Sequence, residues 1–129
     1  MAGKPDVSLS ELQIALMRVL WARGETSTAD VAAELADERG LAHTTVATLL
    51  TRLEKRGVVA QRRDGRQLFY RALAGEADVR RSMVAGLLDA LFAGDANALV
   101  AHLVDESELE PGDLAKVRRR LAKGNRDVD

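Results

Sequence analysis

The chain has 129 residues, enough for one domain or a small domain with a helical appendage. It is 47% hydrophobic and 30% charged, with a net charge of −1 and no cysteine, which excludes disulfide frameworks, thiol catalysis and Cys-ligated metal sites. Trp21, Phe69, Tyr70 and Phe92 are its only aromatic residues, so the core must come from Leu, Val and Ala, which favours helices over a sandwich or barrel.

Residues 1–8 read as a flexible arm, with no signal-peptide apolar region behind the polar start. Ser8 or Ser10 can cap a first helix, with Glu11 and Gln13 in capping-box positions. Its wide stripe (Leu9, Leu12, Leu16, Val19, Leu20) predicts burial as far as Ala22, and Gly24 ends it. Ser27 or Thr28 starts a second helix that stops at Gly40. A third runs from Thr44 to Arg56. Val58–Arg63 and Gln67–Leu73 then read as strands joined at Asp64-Gly65, a hairpin-turn signal.

Ala74-Gly75 marks a predicted boundary. Helices follow over Asp78–Phe92 and Ala96–Val104, and a last one after Pro111 reaches Lys123. The fold class is therefore mainly α: three helices and a two-stranded wing over residues 9–74, then a three-helix segment over 75–124 and a disordered tail over 125–129. No apolar run approaches the roughly 20 residues needed to span a bilayer, and a cytoplasmic location is expected.

The stretch from Arg39 to Arg71 carries a net charge of +6, whereas Glu76 to Asp129 carries −3. Within the basic stretch, the third helix packs Val46, Leu49, Leu50 and Leu53 on one side. Thr44, Thr48, Thr51, Arg52 and Lys55 lie on the other, with Thr45 at the flank and His43 just before, in a position to cap the helix or touch DNA. Threonine is a mediocre helix former, so an exposed threonine face is poorly explained by helix stability. It suits a major groove, where the hydroxyl meets base edges or phosphates and the methyl packs on thymine. Two helices joined by a short link make a helix-turn-helix, and the wing adds Arg62, Arg63 and Arg66 for phosphate or minor-groove contact. Double-stranded DNA is the expected partner.

Three short helices make a poor core alone. Met83, Leu87, Leu91, Phe92, Leu99, Val100, Leu103, Leu114, Val117 and Leu121 are therefore expected to bury against a second copy, giving a homodimer suited to a palindromic site. No cofactor or metal site is expected. No phosphate-binding glycine loop, HExxH motif or nucleophile elbow points to an enzyme. Two alternatives stand beside the DNA reader: a winged-helix protein-interaction module, and a small-ligand-sensing regulator.

Three stretches carry a resemblance: Leu12-Gln13-Ile14-Ala15-Leu16-Met17-Arg18-Val19-Leu20-Trp21, the run Thr44 to Gly57 with its trailing Lys55-Arg56-Gly57, and the wing end Phe69-Tyr70. On these the chain resembles the penicillinase repressor (BlaI/MecI/CopY) family from about Leu9 to Lys123. The resemblance implies a homodimeric repressor on an inverted-repeat operator, with Thr44, Thr45, Thr48, Thr51 and Arg52 entering the major groove. Two departures stand out. The C-terminal Cys metal site of CopY-type members is missing. Where beta-lactam-responsive members carry the Asn-Phe bond cut by a regulatory protease, this chain reads Ala101-His102-Leu103.

Overall fold

The computed structural model describes residues 7–106 and 109–128. Ser10 rather than Ser8 caps α1 (Glu11–Arg23). Its Oγ accepts from the Gln13 N–H at 3.2 Å, while Gln13 Oε1 accepts from the Ser10 N–H at 2.9 Å, so both halves of the capping box form. Ser27 caps α2 (Thr28–Arg39) by accepting from the Asp30 N–H at 3.1 Å. At the far end Gly40 takes a left-handed φ of 67°, a conformation that a side chain resists. α3 spans His43–Lys55, one residue earlier than predicted. Its cap position is Ala42, without any side-chain cap, so His43 is the first helical residue and not the cap.

The hairpin pairs β2 (Val59–Asp64) with β3 (Gln67–Ala72), and Asp64 lies directly across from Gln67. The two turn residues are therefore Gly65 and Arg66, one step later than predicted. Gly65, with φ 63°, supplies the positive dihedral at the first turn position, the arrangement of a type II′ turn. This shift places Arg66 at the tip. A third strand was not predicted: β1 (Thr26–Ser27) pairs with Tyr70 and Phe69, giving the order β1-β3-β2. Two residues are too few to show a period.

The core is aliphatic, as composition requires. Leu16, Met17 and Leu20 of α1, Val31 and Leu35 of α2, Val46, Leu50 and Leu53 of α3, and Val59 of β2 are essentially inaccessible. Trp21 packs at the margin of this cluster and donates from Nε1 to the Ala74 carbonyl at 2.9 Å, tying α1 to the end of the wing.

Three helices follow: α4 (Glu76–Phe92), α5 (Ala96–Glu106) and α6 (Pro111–Val128). Ala93 and Gly94 both have positive φ, and α4 and α5 meet there at 86°. α6 continues to Val128, past the expected end at Lys123, because one glycine weakens a helix by about 1 kcal/mol without stopping it. The residues of the predicted tail up to Val128 are thus helical, and Asp129 lies outside the described residues.

The chain divides into two compact units at Val84–Ala85, not at Ala74-Gly75. Val79 is buried in the core of the first unit and Met83 packs against it, which draws the start of α4 into that unit. At the other end, residues 1–6 of the predicted arm lie outside the described residues, whereas Val7 is buried and its N–H donates to Ser82 Oγ at 2.9 Å. Among the described residues, no single helix is long and apolar enough to cross a membrane.

Candidate nucleic-acid interface

The strong amphipathicity of α3 creates the candidate surface. Val46, Leu49, Leu50 and Leu53 bury one side, and this leaves Thr44, Thr45, Thr48, Thr51, Arg52 and Lys55 exposed on the rest. With no side chain capping the helix, the first-turn amides of His43, Thr44 and Thr45 are open to an acceptor, and the helix dipole favours an anion there. At the other end Arg52 and Lys55 complete a positive last turn.

The threonines divide into two kinds. Thr48 Oγ1 donates to the Thr44 carbonyl and Thr51 Oγ1 donates to the Ala47 carbonyl, each at 3.0 Å. Thr44 and Thr45 make no side-chain hydrogen bond among the described residues. Thus only the threonines nearest the helix start keep their hydroxyl protons uncommitted.

The wing also divides. The pleat sends Arg62 and Arg63 to opposite faces of the hairpin. Arg62 faces Phe69 across the strands, with its guanidinium 4.8 Å from the ring centre, and it forks onto Glu25 with Nη2–Oε1 at 2.7 Å and Nε–Oε2 at 3.1 Å. Arg62, predicted to reach outward with the other wing arginines, is thus held by protein. Arg63 pairs in register with Leu68, and Leu68 lines a cleft with Thr28, His43, Ala47 and the tip residue Arg66. Thr28 Oγ1 donates to the Leu68 carbonyl at 3.3 Å, bracing the wing on α2. Arg52, Lys55, Arg63 and Arg66 form no ion pair among the described residues. The structure therefore gathers two surfaces beside one cleft, the exposed stripe of α3 and the Arg63–Arg66 edge of the wing, and sets Arg62 apart.

Sequence reasoning missed Glu25, which lies in the α1–β1 link, 37 positions from Arg62. Only the pairing of β1 with β3 makes them neighbours, so no local pattern marks the contact. The hydrogen bond from Arg62 holds the Glu25 carboxyl below its ordinary 4.5. A depressed carboxylate stabilises the fold fully above the ordinary value and loses that contribution as pH falls through the lowered one. Acidification is accordingly expected to release Arg62 from Glu25, seen as a change in the chemical shift of its Nε–H by NMR. In Glu25→Gln that acid transition should be absent; its persistence would assign the effect to another group.

Comparison with known proteins adds an independent line. The penicillinase repressor family model matches residues 9–123. The chain is 38% identical to the transcriptional regulator BlaI of Mycobacterium tuberculosis over 121 residues, covering 89% of this chain and 83% of that protein. It is 25% identical to the methicillin resistance regulatory protein MecI of Mammaliicoccus sciuri over 118 residues, covering 92% of this chain and 94% of that one. Among solved structures it is similar to the DNA-binding domain of the repressor BlaI, with 28% identity and a TM-score of 0.52 over 60% of this chain and 93% of that domain.

Proposed function

This chain belongs to the penicillinase repressor family and is a DNA-binding transcriptional repressor, and from that premise we propose that it acts in the cytoplasm as a homodimer on an inverted-repeat operator. The observation that carries the dimer is the absence of any buried residue after Val79 among the described residues. Leu87, Leu91, Val100, Leu114, Val117 and Leu121 stand 39–71% exposed. Large apolar side chains left this exposed along three helices mark a surface that a partner covers. Covering the exposed halves of these side chains in two copies is worth about 10–20 kcal/mol, against an association cost of about 4–15 kcal/mol. Leu103 is also exposed and Phe92 and Leu99 are half-buried, and Phe92 meets the His102 ring edge-on at 5.9 Å. Met83, assigned from sequence to this set, instead packs on the core of the first unit.

On the operator, α3 enters the major groove. Its open first-turn amides and His43, Thr44 and Thr45 meet phosphate, Thr48, Thr51 and Arg52 face base edges, and Lys55, Arg63 and Arg66 grip the backbone. Two such readers on a two-fold axis match half-sites about one helical turn (~34 Å) or a multiple apart. Release by a regulatory protease would act on exposed α5, where Ala101-His102-Leu103 calls for a different cleavage specificity than an Asn-Phe bond.

Light scattering on the full chain, together with a footprint of the bound protein on genomic DNA, tests this reading. The expected result is twice the 14.0 kDa chain mass and two inverted half-sites under each footprint. A monomer mass at micromolar concentration, or footprints without symmetry, would refute the dimeric reader.

A further inference from the structure

The two hydroxyl bonds within α3 limit what its centre can read. A threonine hydroxyl has one proton. In Thr48 and Thr51 that proton is already given to the carbonyl one turn back. Neither side chain can donate to a base acceptor without first giving up an intrahelical bond. The methyl groups carry no such obligation. Thr48 and Thr51 lie with Ala47 on one exposed patch, and Arg52 and Lys55 border it toward the helix end. The middle of the stripe is thus a methyl surface beside two cations, with side-chain hydrogen-bond donors concentrated at the helix ends.

Resting on the placement of α3 in the major groove, we propose that Thr48 and Thr51 determine sequence preference through their methyl groups, packed on the 5-methyl groups of thymines in each half-site. The major groove displays that methyl on thymine and on no other unmodified base. The O4 acceptor beside it is left to Arg52 or water. Recognition of this kind is apolar and insensitive to the hydroxyl, and so it separates cleanly from hydrogen-bonded readout.

The test uses the full-length protein and the duplex it enriches from a random-sequence pool. Each thymine in that duplex is replaced in turn by deoxyuridine, which removes the methyl and keeps the pairing. Affinity is expected to fall about fourfold at one or two positions per half-site, the value of one buried methyl-sized group. Thr48→Val and Thr51→Val, which keep the methyl and lose the hydroxyl, should hold operator affinity within twofold. Thr48→Ser and Thr51→Ser, which lose one methyl in each half-site, should weaken binding about 16-fold and no longer distinguish thymine from deoxyuridine at the matching position. Thermal melting of all four variants checks that each is folded.

Valine variants that bind more weakly than the corresponding serine variants would overturn the inference in favour of hydroxyl readout. Indifference to every deoxyuridine, with specific binding intact, would also overturn it while leaving α3 in the groove. Deoxyuridine effects that no change at Thr48 or Thr51 alters would likewise overturn the inference, by assigning the methyl contact to other residues.

Discussion

Operator affinity is expected to fall about 10³-fold when salt rises from 50 to 200 mM. Lys55, Arg63 and Arg66 are the cations proposed to meet phosphate, three per protomer and six in the proposed dimer. Six neutralised phosphates give that drop by release of condensed counterions. Arg62 is left out because Glu25 already neutralises it. Arg66→Ala, at the wing tip, should therefore weaken binding to all duplexes alike and flatten the salt dependence by about two phosphates per dimer. Arg62→Ala should change the salt slope little. Arg52→Ala should behave differently from both: removing a side chain that reads a base edge costs about 1–3 kcal/mol and relaxes preference at one position. Titrations by fluorescence anisotropy at four salt concentrations separate these cases. An Arg62→Ala slope as shallow as that of Arg66→Ala would show that the Glu25 pair opens on DNA.

The second large effect lies in the C-terminal helices. Leu91→Glu and Leu121→Glu replace two of the most exposed leucines, at 71% and 63% exposure. In a monomer such changes cost almost nothing, since surface substitutions usually stay within about 0.5 kcal/mol. In the proposed dimer each change places two carboxylates, one from each copy, in an apolar interface, where an unpaired buried charge costs several kcal/mol. The expected outcome is a monomeric, folded protein whose operator affinity drops at least 10²-fold, because the two half-sites are no longer bound as one. Sedimentation with retardation assays measures both quantities. Variants that remain dimeric with wild-type affinity would move the interface to another surface.

How much of this was legible in advance varies by element. The buried stripe of α3 and its exposed threonines follow directly from helical spacing, because α3 is amphipathic enough for the period to override every local ambiguity. The caps at Ser10 and Ser27 and the stop at Gly40 are likewise local chemistry. The hairpin was legible as a hairpin, but its turn slipped by one residue, since Asp-Gly and Gly-Arg centres are both open to a chain whose register is set by pairing. The start of the second unit was misplaced by ten residues for a related reason. Gly75 looks like a boundary, yet burial of Val79 and packing of Met83 decide where the first core ends.

The sequence by itself determined the order of the six helices and the hairpin, the basic middle and acidic end, the exposed face of α3 and the apolar character of the C-terminal helices. Each of these depends on spacing or composition within a single segment. Tertiary structure alone decided which of the predicted DNA-facing groups are available. Pairing of β1 with β3 brings Glu25 to Arg62 and removes that arginine from the cationic edge, and the pleat of the hairpin leaves Arg63 on the side of the cleft. Within α3 the preceding turn takes the hydroxyl protons of Thr48 and Thr51, a local bond that side-chain spacing does not reveal. The difference is physical: periodicity shows which way a side chain faces, whereas its remaining hydrogen-bonding capacity depends on partners that only the folded chain brings within reach.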